Sequence, residues 1–185
     1  QVAALSSTQV AALGSAQLAG LNSADIVALG SAQVAMLSAT QVAALTADQV
    51  AKLEATDLAA LTPAALKGLS AEAMAGLTTA QVAALTSAQV AALSSAQLAA
   101  LTSTDVAAIE SADIKAISPA ALAGLSADQI GQLTPGQVAA LGSAQWAAMG
   151  TAQVRALSTA QVAALATDDL NAMGTAQFRA EERRV

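Results

Sequence analysis

An aliphatic residue stands at every eighth position of this chain, from Leu5 to Met173, and nothing constrains its fold more. The register holds from residue 5 through residue 180, giving 22 consecutive octads without an insertion or a deletion. Residues 1–4 are then a partial repeat, and residues 181–185 a polar terminal cap or tail, with Glu181 where a leucine is due. Because Gln1 falls mid-octad, a processed product or an excerpt from a longer array is expected. Internal repetition at a short, fixed period is the sequence signature of a stacked, quasi-one-dimensional architecture.

Leu85–Ala92, Leu-Thr-Ser-Ala-Gln-Val-Ala-Ala, represents the unit, numbered from its leading leucine. Position 2 is mostly Ser, Thr, Gly or Asn, and Thr86 is an N-cap type whose hydroxyl can accept from a free N–H of the first helical turn. Gln89, three residues on, completes a capping box, while Leu85 and Val90 have the spacing of a hydrophobic staple. All three prolines, Pro63, Pro119 and Pro135, fall at position 3, the first helical residue, where fixed φ and a missing N–H do least harm. Asp25, Asp105 and Asp113 at position 5 put negative charge in the first turn, which suits the helix dipole.

One continuous helix does not fit. At about 100° per residue the leucine would drift by about 80° per octad, leaving no apolar stripe to bury. A β-helix fails because positions 1 and 6 have opposite parity, and Ala and Gln are poor strand formers. The expected fold is therefore all-α: a solenoid of very short helices of about six residues, each capped, one per eight-residue repeat. Helices below about 12–15 residues are marginal alone, so stacking must supply the stability, with positions 1 and 6 filling a shared interior. Small residues at positions 4, 7 and 8 are expected to let neighbouring helices approach. Two, three or four octads per coil all remain open.

The array is least regular over 53–76 and again over 109–132, and Glu54 and Glu110 lie 56 residues apart. This reads as duplication of a larger block, with a spaced surface feature as the alternative. Trp146 replaces the aliphatic residue at position 6 and is expected to be a larger side chain at a looser core position, with a ligand-stacking role as the alternative; Phe178 fills the same slot in the last octad, beside the end of the array.

Little is left for chemistry. There is no Cys and no His, so thiolate chemistry, triads and ordinary zinc sites have no ligands to use. Asp168 and Asp169 are adjacent, but positions 4 and 5 give each a structural role. No catalytic, cofactor-binding or metal-binding residue is assigned, and no enzyme activity is expected. A net charge of −6 with seven basic residues argues against nucleic acid as a partner. Apolar runs stay at about six residues, far below the roughly 20 of a spanning helix, so no membrane insertion is expected.

Leu133–Leu141, Leu-Thr-Pro-Gly-Gln-Val-Ala-Ala-Leu, resembles the helix start of TAL-effector repeats, but lacks their base-reading loop and reads as shared capping chemistry. The tandem form, with Thr-Ala-Gln-Val-Ala-Ala-Leu and Glu-Ser-Ala-Asp-Ile-Lys-Ala-Ile over 77–117, resembles octapeptide-repeat regions of large bacterial secreted or cell-surface, adhesin-like proteins. That resemblance implies an extracellular or cell-surface structural segment: a rigid stalk, a spacer or a self-associating fibre element, contacting copies of itself end to end or side by side. Two alternatives stand beside it. One is a binding surface for ice or a polysaccharide (an extracellular glycan) through the regular Ser/Thr array, and the other a designed consensus repeat.

Overall fold

A computed structural model describes residues 2–175, 177 and 179. Phe178 and the proposed terminal cap at 181–185 lie outside the described residues. Among those described, the protein is all-helical: a 3-10 turn, Val2–Ala4, precedes 21 α-helices of four to six residues, and no strand is present. Each helix begins at position 3 after an extended residue at position 2, as at Thr86 (φ −76°, ψ 157°), and where a helix runs to position 8 the residue at position 1 is extended too, as at Leu93 (φ −64°, ψ 135°). The corner needs no left-handed residue, and none has positive φ. This is a solenoid of short capped helices.

The capping chemistry is the local cause. In helix Ser87–Ala92 the Gln89 N–H donates to the Thr86 hydroxyl and the Thr86 N–H donates to Gln89 Oε1 at 2.9 Å, the reciprocal pair of a capping box. Proline stands in the first turn of helices Pro63–Leu66, Pro119–Leu122 and Pro135–Ala140. Glu54 and Glu110, by contrast, start their helices without a side-chain cap.

Side-chain burial then closes the coil. Leu85 and Val90 are both buried, and the same two positions form one continuous core from Val2 to Leu157. Helix Ser87–Ala92 packs against Pro63–Leu66 and Ser111–Ile114, three octads to either side. Yet the Gln89 amide reaches the end of Ala55–Ala60, four octads back. The coil therefore closes between three and four octads, at about three and a half, matching the 28-residue separation of Gln89 and Leu61. Successive coils are staggered by half an octad, so each helix sits over a corner of the coil beneath.

That half-integer gives the 56-residue spacing a physical meaning: it is two whole coils. Glu54 and Glu110, Pro63 and Pro119, and Gly68 and Gly124 each return to the same side of the solenoid.

One expectation is corrected. In the octad Leu85–Ala92 positions 4 and 7 do not line the contacts between helices, for Ala88 and Ala91 are exposed while Ala92 is half-buried, although position 7 is half-buried at Ala51, Ala59, Ala107 and Gly131. The close approach is between position 8 and position 3 of the helix three octads earlier. A Cβ on Gly124 would stand 2.6 Å from Ser95 Cβ, and one on Gly68 would collide with the Ala39 carbonyl. The last residue of the octad makes the tightest of these approaches, while Gly131 at position 7 and Gly136 at position 4 lie near Ala156 and Ser111 at longer distance.

Candidate functional site

Among the described residues, position 5 makes the most side-chain hydrogen bonds. Gln89 is fully buried, and while its Oε1 completes the cap of its own helix, its Nε2 donates to Leu58 O, Ala59 O and Leu61 O at 3.0, 3.2 and 2.9 Å. These carbonyls end the helix on the coil beneath, where backbone acceptors have no helical partner. One side chain thus satisfies the start of its own helix and the end of another. The same bridge recurs at Gln33, Gln41, Gln49, Gln81, Gln97, Gln129, Gln137, Gln145, Gln153, Gln161 and Gln177. In the first coil Gln9 and Gln17 are exposed, and the bonds they make are those of the cap.

Aspartate at position 5 works differently. Asp57, Asp105 and Asp113 are buried and accept from Ser31, Thr79 and Ser87, hydroxyls at position 3 of the helix three octads earlier. A carboxylate can accept but cannot donate, so it turns from the carbonyls to a hydroxyl. Asp169 is also buried and accepts from the Ala166 N–H, while its neighbour Asp168 is exposed. This separates their roles as positions 4 and 5 require.

Alanine at position 5 makes no bridge. It occurs at Ala65, Ala73 and Ala121, and those octads end in Gly68, Gly76 and Gly124. There the backbones approach directly instead, against Ala39, Ala47 and Ser95.

The sequence reading took position 5 as half of a capping box and missed the bridge. A signal was present. Capping boxes accept Glu as readily as Gln, yet no octad has Glu at position 5. Only a side chain that accepts at one atom and donates at the other can serve both helices.

Trp146 is fully buried at position 6 of Ser143–Ala148, as its register required, but its indole Nε1–H has no hydrogen-bond partner. A cleft of about 480 Å³ opens beside Asp128 and Gln132, floored by Ala127, Gly131 and Ala156 and bordered by Ser103 and Thr104. Gln132 stands at the usually small position 8. Among the described residues no group of three or more acidic side chains is placed to hold a metal ion, and no helix is long and apolar enough to cross a membrane.

No curated protein matches the sequence. The family model for the ALTTAQ repeat matches four segments, residues 19–55, 50–87, 106–143 and 138–175, which together span well over half of the chain. The last five of its letters stand within a matched segment as Leu77-Thr78-Thr79-Ala80-Gln81, the corner, the cap and the bridging glutamine. The chain belongs to the ALTTAQ repeat family.

Proposed function

We propose that this is a non-catalytic structural segment, a rigid stalk or spacer of a bacterial secreted or cell-surface protein. The observation that carries the reading is the unbroken register. Over the described octads every helix starts at position 3, the segment between helices is two to four residues long, and the buried side chain at position 5, where it is polar, bonds to its own cap or to an adjoining coil. A ligand site in a repeat protein usually sits on an inserted loop, and here none interrupts the array. In a stacked solenoid each coil contacts only its neighbours, so length grows in proportion to repeat number, which is the property a spacer needs.

The test is small-angle X-ray scattering of the 185-residue chain. A stiff, elongated body of constant cross-section is the expected result. Scattering of a flexible coil would overturn the proposal.

A further inference from the structure

The glutamine bridges are not spread evenly along the rod. Gln33, Gln41 and Gln49 bind the second coil to the first, and Gln81, Gln89 and Gln97 bind carbonyls of residues 50–69. From Gln129 to Gln161 the bridges reach residues 98–133. Between these lie two interfaces with no glutamine. Residues 57, 65 and 73, which face 26–45, are Asp, Ala and Ala; residues 105, 113 and 121, which face 74–93, are Asp, Asp and Ala.

We propose that the mechanical units of this protein are blocks of bridged coils, two coils in each of the first two blocks and three in the block that Gln129 to Gln177 hold together, and that the two interfaces lacking glutamine are compliant joints between these blocks. Across a bridged interface, each octad ties side-chain amide to backbone carbonyl, so separating the coils strands buried acceptors at several helix ends. Across a joint, the polar links are Asp57 to Ser31, Asp105 to Thr79 and Asp113 to Ser87, each between two rotatable side chains. The Ala octads contribute only van der Waals contact, through Gly68, Gly76 and Gly124. Opening at a joint therefore breaks fewer bonds than opening anywhere else along the stack, and such low-cost planes set where a protein yields first.

The two joints also face one way. Asp57 and Ala65 recur as Asp113 and Ala121 after 56 residues, two whole coils, so small bends at the two joints add in one plane. This inference concerns the stack itself and holds whether or not the protein serves as a stalk.

Single-molecule pulling of the 185-residue chain between its termini tests it. At roughly 3.5 Å per extended residue, loss of a coil pair releases about 20 nm of contour length and loss of a single coil about 10 nm. Two steps near 20 nm and one of about 30 nm, from the three-coil block, are expected at that rise per residue. Steps of a single coil, or one all-or-none event, would overturn the proposal. The variant Q81A/Q89A/Q97A removes the bridges within one pair, and its 20 nm step is expected to split into two. An unsplit step in a folded variant would equally refute the pairing. Should the variant not fold, the wild-type trace alone decides.

Discussion

Two interfaces between stacked coils hold together by different means. Where residues 81–97 meet 50–69, three glutamine amides bond to the carbonyl ends of the helices beneath, and position 8 is alanine at Ala84, Ala92 and Ala100. Where residues 57–76 meet 26–45, two of three octads carry alanine at position 5 and glycine at position 8, and Gly68 brings its helix directly onto Ala39. Losing the bridge coincides with losing a methyl group. Stacked coils can therefore be joined by polar links at a fixed spacing or by backbone contact at a closer one. Positions 5 and 8 choose together.

The largest effect should come from breaking the bridged mode without touching the cap. Gln89→Glu preserves the acceptor that binds the Thr86 N–H but replaces the Nε2 donor with a carboxylate oxygen among three carbonyls. A loss of about 4 kcal/mol in unfolding free energy is expected, since a buried charge without a partner replaces a donor. If position 5 only capped its helix, the substitution would be nearly neutral, and urea denaturation would show it.

The converse substitution attacks the close-contact mode. Gly68→Ala adds a single methyl group at a position where the bridged interfaces already carry one. Because that methyl would meet the Ala39 backbone carbonyl, which no rotamer change can move, about 2–3 kcal/mol should be lost. Gly76→Ala, whose Cβ would lie 3.4 Å from Ala47 Cβ, is ordinary contact and should cost far less. Equal thermal shifts for the two would show that spacing at position 8 does not limit the packing.

A third, smaller effect probes the aspartate links. Ser87→Ala removes the hydroxyl that donates to the buried Asp113 carboxylate, and a charge-assisted bond of this kind is worth about 1–2 kcal/mol. Ser95→Ala provides the control: Ser95 occupies the same position 3, but its counterpart 26 residues on is Ala121, which can accept nothing. Calorimetric melting of both variants should separate them by several degrees.

Much of this was legible in the sequence because the relevant physics is local. Caps at Thr86 and Ser94, prolines at 63, 119 and 135, and the Leu85–Val90 pair all act within one octad, so a register of eight exposes them directly. What was hidden acts between octads. The coil number depends on where a corner places the next helix, and no residue type encodes that angle. The second role of Gln89 could be read only by asking why glutamate never takes its place. The Ala65–Gly68 and Ala121–Gly124 pairings were visible as irregular triplets, but their meaning needs the contact with Ala39 and Ser95. The candidate site is thus an interface chemistry, and a one-dimensional reading finds its parts without the partner.

The smallest expected effect marks the boundary of both modes. Position 7 belongs to neither: Ala91 is exposed, as are Lys67, Lys115 and Arg155 at the same position on other helices, and no bridge or close contact uses that face of Ser87–Ala92. Ala91→Lys should therefore change stability by less than about 0.5 kcal/mol, the range of surface substitutions away from special features. The same position at Gly131 differs, because a Cβ there would approach Ala156 O at 3.1 Å. Gly131→Lys should then cost measurably more than Ala91→Lys in the same urea titration. If the two variants melt alike, position 7 tolerates lysine at both places and the narrow contact at Gly131 is easily relieved; a clear difference makes the octad beside Gln132 a third local variation on coil spacing, set by the residue before position 8.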